Sequence, residues 1–379
     1  MRFLFIVQGE GRGHMTQAIS LLEYLKSDGH ELTAVALGSS KRREIPDFVQ
    51  NAFDCPLHTF ESPNFITDKK GKTIRLSRTI IHNFLRANTF YNSLIEINTL
   101  VKVYRPDIIL NFYDVLGGLY NLLFRPKCRF WVIGHQYLIG HQDFPFAKSK
   151  GIQKLLFILN TKITAFGADK ELALSFRPME PPLRKSLFVL PPLLRKELKE
   201  LCSKKGDYYL SYVVNSGYGE EIIATATKNP EINIVAFWDK KEACNPYQPL
   251  PNLIFHKINN RLFLEKMASC KGLVCSAGFE SICEAMFLGK PVMVIPVKGQ
   301  YEQSCNALDA EISGAGIHHH EFDFSIFDEY LLKKKLPLHD PQAWANSFYA
   351  TFQNLLHAEN QAVNTFPLPS IQENRMISS

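Results

Sequence analysis

The sequence predicts an α/β protein built from two Rossmann-like, doubly wound parallel-sheet domains that face one another across a central cleft. Three observations carry that expectation. A chain of 379 residues is long for a single core and suits two. Short apolar runs alternate with amphipathic stretches from the second residue onward. The alternation halts at a charged segment near 190–206 and then starts again.

Arg2 to Val7 reads as a buried strand, followed at once by the glycine-rich "GEGRGH". His14 to Asp28 reads as a helix with Ala18, Leu21, Leu22 and Leu25 on one face, stopped by Gly29. Glu31 to Leu37 is a second strand. A long helical stretch follows from about Arg75 to Tyr104, then Pro106, the strand Asp107 to Phe112 and the strand Arg129 to Ile133. Strand, helix, strand in succession means a parallel sheet with helices on both faces. "LFVLPPLL" at 187–194 ends the first unit. The second unit reads as strands Tyr208 to Val214, Asn233 to Phe237, Leu253 to His256, Gly272 to Cys275 and Pro291 to Ile295. Helices lie near Gly219 to Thr227, Asn260 to Ala268 and Gly278 to Leu288. The expected divisions are a first domain at 1–190, a linker at 191–206 and a second domain at 207–345. A final helix and tail at 346–379 are expected to cross back to the first domain.

Composition is that of a globular protein, 46% apolar and 21% charged. No apolar run reaches the roughly 18 residues of a membrane span, and Phe3 to Val7 is too short for a signal peptide. A soluble, cytoplasmic protein is the expectation. The eight cysteines form no C-x-x-C pair, which argues against a zinc site and a disulfide scaffold. Adjacent His318, His319 and His320 point in different directions and lack a supporting acid or thiol pattern, so no metal is expected.

Charge is uneven. Residues 1–190 carry 25 Lys and Arg against 16 Asp and Glu, and the remaining 189 carry 18 against 21. A basic first half suits an anionic acceptor or a membrane surface. Its short clusters, Lys41-Arg42-Arg43 and Lys69-Lys70-Gly71-Lys72, come with no nucleic-acid motif, so nucleic acid is not an expected partner. The stretch "AKSKGIQKLLFILNTKI" at 147–163 is basic and amphipathic, which places peripheral contact with the inner face of the cell membrane among the readings. The sequence is silent on oligomeric state.

Residues 275–307, "CSAGFESICEAMFLGKPVMVIPVKGQYEQSCNA", concentrate the chemistry. A strand ends at Cys275, Ser276-Ala277-Gly278 turns, and a helix opens at Phe279, Glu280 and Ser281. The free first-turn N–H groups and the Ser281 hydroxyl make an anion site that suits a diphosphate. Gly278 lets the backbone approach closely. Glu284, one turn on, can accept hydrogen bonds from ribose hydroxyls. Gln300, Glu302, Gln303 and Asn306 follow the next strand and suit sugar hydroxyls. Glu280 is an odd neighbour for phosphates, and should point away or meet a cation.

This stretch resembles the donor-binding signature of GT-B glycosyltransferases, most of all their inverting branch. That branch includes plant-type UDP-sugar transferases and the peptidoglycan lipid-linked GlcNAc transferase. It is closer still to little-characterised bacterial and archaeal proteins with the pattern "GGF-x-T-I-S-E-A" and "IP-x-x-x-Q-x-E-Q-x-x-N-A". The resemblance implies a GT-B fold and transfer of a hexose or N-acetylhexosamine from a UDP-sugar to a hydroxyl acceptor. That acceptor would be a cell-envelope glycan, a lipid-linked sugar or a small molecule. It implies Gly278 to Ser281 on the diphosphate, Glu284 on the ribose, and Glu302 and Gln303 on the donor sugar. The backbone at Lys257-Ile258 would hold the uracil. Asn215 and Ser216, after the first strand of the second domain, would line the diphosphate.

His14 resembles the catalytic histidine of these enzymes. An imidazole is suited to take the acceptor proton near neutral pH. Asp114, at the end of the strand "PDIILNFYD", resembles its paired aspartate, and Glu10 is a second candidate base. Gly9, Gly11 and Gly13 would give acceptor and sugar room, and His135 would line the acceptor side. Retaining relatives show E-x7-E beside the phosphate helix. Here Ser276 takes the first of those positions and Glu284 the second, so inversion is expected with no permanently bound cofactor and no obligatory metal. Two alternatives stand beside this reading. One is a UDP-sugar 2-epimerase of the same fold. The other is an NADP-dependent oxidoreductase, for which the opening G-x-G-x-G-H puts its third glycine in the wrong place.

Overall fold

The computed structural model describes residues 1–39, 45–63, 83–148, 151–213, 216–240, 242–333 and 339–365. Lys41-Arg42-Arg43, Lys69-Lys70-Gly71-Lys72 and Asn215 lie outside them. Among the described residues fourteen strands form two seven-stranded sheets.

The first sheet contains β1 (Arg2–Gln8), β2 (Glu31–Ser39), β3 (Leu57–Glu61), β4 (Ile108–Phe112), β5 (Arg129–Gly134), β6 (Lys170–Leu174) and β7 (Leu187–Leu190). Its order is β3-β2-β1-β4-β5-β6-β7, and every neighbouring pair is parallel. The second contains β8 (Tyr208–Val213), β9 (Asn233–Trp238), β10 (Tyr247–Leu250), β11 (Leu253–Lys257), β12 (Gly272–Ser276), β13 (Val292–Ile295) and β14 (Gly316–His318). Its order is β10-β11-β9-β8-β12-β13-β14. The helices are α1 (Arg12–Ser27), α2 (Asp47–Gln50), α3 (Ala87–Tyr104), α4 (Val115–Phe124), α5 (Ile152–Thr164), α6 (Gly219–Lys228), α7 (Asn260–Ala268), α8 (Phe279–Phe287), α9 (Tyr301–Ile312), α10 (Phe324–Leu332), α11 (Pro341–Asn346) and α12 (Phe348–Thr365).

The unbroken apolar run of β1 follows from helices on both faces. Phe3, Phe5 and Val7 enter one core while Leu4 and Ile6 enter another, the alternation that a pleated strand imposes. In both sheets the strand order reverses beside the first strand, between β1 and β4 and between β8 and β12. Such a switch point leaves a crevice at the strand C-termini where ligands bind.

Several expectations are corrected. The edge pair β10–β11 is antiparallel rather than parallel, because only Pro251 and Asn252 join the two strands, too short a link for a crossover. Helix α1 begins at Arg12, two residues before His14. The helix expected from about Arg75 is described as α3 from Ala87, and most of its earlier part falls outside the described residues. β3, β6, α4, α9 and α10 were not legible as separate elements. The single tail helix divides at Ser347, the C-cap of α11, while Asp340 caps its other end by accepting from the N–H groups of Gln342 and Ala343.

The tail ties the two sheets together. In α11, Gln342 Nε2 donates to Phe287 O at 2.7 Å and Trp344 Nε1 donates to Ser175 O at 3.0 Å. α12 then lies against the first domain. Gln353 Nε2 donates to Asp28 Oδ1 at 2.8 Å, and Glu359 pairs with both Arg129 and Lys170.

Candidate active site

A cleft of about 950 Å³ lies between the two sheets, with Tyr113 and the β1–α1 loop on one side and the starts of α8 and α9 on the other. Gly9 belongs to the sheet rather than to the cleft. Its N–H donates to Gly38 O at 2.8 Å, and a Cβ there would stand 2.3 Å from that same oxygen. Gly11 is the N-cap of α1 and offers no side-chain cap. Gly13 faces the opposite domain, where a Cβ would meet Glu280 Cγ at 3.3 Å. Glu10 lines the cleft.

His14 is part-buried in the first turn of α1. Its Nδ1 is 3.4 Å from Gln17 Oε1, and its Nε2 is 3.5 Å from Gln136 Nε2. The ring stacks on Tyr113, 5.5 Å between centroids and 23° between planes. Tyr113 sits at φ 60°, a left-handed conformation that a bulky residue adopts only when its surroundings hold it there. Its hydroxyl is held by Thr161 Oγ1 at 2.7 Å and Asn160 Nδ2 at 3.3 Å. Burial lowers the His14 pKa to about 4, with the Gln17 contact pulling weakly the other way. The imidazole is therefore neutral at physiological pH.

Asp114 is not the partner of that ring. It is the N-cap of α4, where Oδ1 accepts from Leu116 N at 2.8 Å and Gly117 N at 3.3 Å, while Oδ2 accepts from Ser62 Oγ at 2.8 Å. Burial raises its pKa to about 6 against those hydrogen bonds. A residue that follows a strand and precedes a helix has two possible jobs, and here the cap takes the carboxylate.

His135 reaches the wall of the cleft but is 2% exposed: its Nδ1 donates to Leu174 O at 2.8 Å, and its ring stacks on Phe279 at 4.3 Å. Phe176 completes this aromatic cluster, 4.6 Å from Phe279. The Phe279 side chain thus closes the seam between domains while its backbone opens α8.

On the second-domain side of the cleft, β12 ends at Ser276 and Asn306 Nδ2 donates to Ala277 O at 3.1 Å, fixing the turn. Gly278 caps α8 with no side-chain hydrogen bond, and nothing stands within 4 Å of where its Cβ would be. The amides of the α8 first turn lack intrahelical partners by construction, and they and Ser281 border the cleft. Gln300 is the N-cap of α9, again without a side-chain cap. Gln303 Oε1 accepts from Val297 N at 2.9 Å and so shapes the loop after β13. Ile258 lines the cleft, but the neighbouring Lys257 N–H donates to Asn245 Oδ1 at 2.9 Å rather than standing open for a base. Ser216 begins a 3-10 turn after β8.

Three acidic side chains depart from their expected surroundings. Glu284 is 2% exposed and clamped by Arg195, whose Nε and Nη2 reach its two oxygens at 2.6 and 2.7 Å. Glu280 Oε1 accepts from Gln17 Nε2 at 2.5 Å, across the seam, with the Arg195 guanidinium near enough to act on its charge. Burial pushes its pKa up to about 8, outweighing that hydrogen bond. Glu302 Oε1 accepts from Gln136 Nε2 at 2.8 Å, and burial pushes its carboxyl upward too.

Gln17 and Arg195 were missed in the sequence. For Gln17 the sequence offers only its spacing, three residues from His14 and so on the same side of α1; that it is 3% exposed and reaches Glu280 is visible only in the fold. Arg195 sits among the linker's other charged residues, and nothing in their order singles it out.

Residues 1–337 match the family described as glycosyl transferase family 1. An uncharacterized glycosyltransferase of Methanosarcina mazei is 23% identical over 339 residues, spanning 83% of this chain and 85% of that protein. One from Methanosarcina acetivorans is 22% identical over 351 residues, with the same shares. Among solved structures, the calicheamicin glycosyltransferase CalG4 superposes with a TM-score of 0.61 at 14% identity, covering 97% of this chain and 100% of that one. MurG of Acinetobacter baumannii superposes with a TM-score of 0.55 at 13% identity, covering 94% and 99%. At such identities the structural likeness speaks for the fold, and the family match covers both sheets. The chain belongs to glycosyl transferase family 1, and is a glycosyltransferase of the two-domain GT-B fold.

Proposed function

We propose that this enzyme moves a sugar from a UDP-sugar to a hydroxyl acceptor with inversion at the anomeric carbon, His14 serving as the general base. The observation that carries the reading is an imidazole on the first-domain side of the cleft, opposite a helix N-terminus on the second that no side chain caps. The acceptor oxygen attacks the anomeric carbon and its proton passes to His14 Nε2. The bond from that carbon to the β-phosphate oxygen breaks, and UDP departs with the electron pair. The first-turn amides of α8 and the Ser281 hydroxyl stabilise the charge on the leaving diphosphate. One in-line displacement turns an α-linked donor into a β-linked product.

UDP is favoured by the resemblance of 275–307 to UDP-sugar transferases; among the structural neighbours one is described in complex with UDP and another in complex with thymidine diphosphate. The acceptor is expected to carry an apolar portion. Helix α5 borders the cleft with Ile152 and Leu159, which are 61% and 48% exposed, and Lys154 and Lys162 lie on the same helix. A lipid-linked cell-envelope acceptor has both the chain and the negative charge for such a surface.

A thermal-shift screen of UDP, GDP, dTDP and CMP sugars tests the donor. A ligand at about 100 times its Kd adds about 2.7 kcal/mol to the folded state. UDP-sugars are expected to raise Tm and the other nucleotides to do so less. No shift with any nucleotide contradicts the donor site, and recovery of a 2-epimerised sugar in place of transfer contradicts the reaction.

A further inference from the structure

We infer that Gln17 is the positioning residue of the His14 base and that Glu280, from the opposite domain, sets it, so the base is correctly protonated only when the domains are docked. The inference rests on the reading of His14 as the base.

A general base must present a lone pair to the acceptor hydroxyl, so in a neutral imidazole the other nitrogen carries the hydrogen. The neighbours decide which. Glu280 Oε1 takes a hydrogen bond from Gln17 at 2.5 Å, and it accepts whether the carboxyl is ionised or protonated at its other oxygen. The Gln17 amide is thereby oriented, with Nε2 toward Glu280 and Oε1 toward His14. A carbonyl oxygen only accepts, so Nδ1 must donate to it. Nε2 is then left with its lone pair.

The second nitrogen carries the mirror arrangement. Gln136 Nε2 donates to Glu302 Oε1 at 2.8 Å and lies 3.5 Å from His14 Nε2, where its remaining hydrogen meets the lone pair. The glutamines come from α1 and from the 3-10 turn after β5, the glutamates from α8 and α9. Two arms therefore cross the domain seam and converge on one ring. The contacts to His14, 3.4 and 3.5 Å, are long, as catalytic hydrogen bonds commonly are before substrate arrives. The carboxylate expected for this task, Asp114, is fully buried and committed to its own helix.

The titratable and charged groups around the ring are Tyr113 on its face, Glu280 and Glu302 across the seam, and Glu10 and Arg12 in its own loop. The Arg195–Glu284 pair lies one turn beyond Glu280.

The test reads the imidazole itself. Long-range 1H–15N correlation spectra of the full chain with 15N-histidine, His14 assigned by its loss in His14→Asn, report tautomer and titration. The wild type is expected as the neutral Nδ1–H form at pH 7. Gln17→Ala should move both ring nitrogens to tautomer-averaged shifts. Glu280→Ala should do the same although it does not touch His14, and Glu280→Gln, which keeps an acceptor oxygen, should restore the single tautomer. Gln17→Glu places a carboxylate on Nδ1 and should raise the His14 midpoint by roughly 1–3 pH units. The other histidine signals show that each variant is folded. An Nε2–H form in the wild type overturns the inference, as does a His14 signal unmoved by both alanine variants. Because no substrate is present, this outcome is independent of the nucleotide screen that tests the donor reading.

Discussion

Glu280 stands in the first turn of α8, where the helix dipole favours a negative charge but the same amides are wanted for a diphosphate. Burial removes the conflict by raising its pKa to about 8, so the side chain is largely neutral at physiological pH and can sit near phosphates without repelling them. That shift has a sign in stability. A carboxyl whose folded pKa is raised from 4.5 to about 8 contributes stability that is complete below pH 4.5 and lost as pH rises through about 8. Glu280→Gln carries no titration and escapes the loss. Melting curves across that range should show a shallower fall of Tm in Glu280→Gln than in the wild type, and parallel falls would contradict the buried, neutral carboxyl. His14 moves the opposite way. Its folded pKa of about 4 lies below the ordinary 6.5, so its contribution is present above that value and lost as pH falls through about 4.

At the scale of elements, α8 is the piece on which the proposed donor site depends, and the linker holds it. Arg195 reaches out of the segment between the domains to make a two-point ion pair with Glu284 on the second turn of α8. Removing the guanidinium leaves a buried carboxylate unpaired, which costs about 3–5 kcal/mol. Arg195→Ala should lower the unfolding free energy by that amount in urea titrations and weaken UDP binding, since α8 loses its tether. A change below about 1 kcal/mol would mean the pair is not buried as described. Much of α8 was legible because its signals are local: an apolar strand, a glycine turn and a helix with a polar first turn. The β1 strand and the start of α1 were legible for the same reason. Gln17 and Arg195 were not, because the partners that give them their roles lie 263 and 89 residues away. The cap at Asp114 is local, set by amides two and three residues on, and resemblance to a catalytic pair hid it. The antiparallel β10 was missed because its short run, "YQPL", contains a proline and alternates weakly.

At the scale of the whole molecule, the two sheets, the cleft and the returning tail are one argument. Both switch points open on the same crevice, and the residues lining it come from loops after β1, β4, β8, β12 and β13. The seam is held by the stacked His135, Phe279 and Phe176, by Tyr301 donating to Ala147 O at 2.7 Å, and by the paired Gln17–Glu280 and Gln136–Glu302 contacts. The apolar face of α5 reaches this cleft at Ile152, Leu156 and Leu159. Among the described residues no helix is long and apolar enough to cross a membrane. The proposed roles, His14 as base and the second domain as donor holder, separate in turnover of the UDP-sugar identified in the nucleotide screen, by wild type and by His14→Ala, alongside the Tm shift that donor produces in each. In His14→Ala kcat should fall by roughly 10²- to 10⁴-fold with the donor-induced Tm shift intact. Undiminished turnover in His14→Ala would rule out His14 as the base.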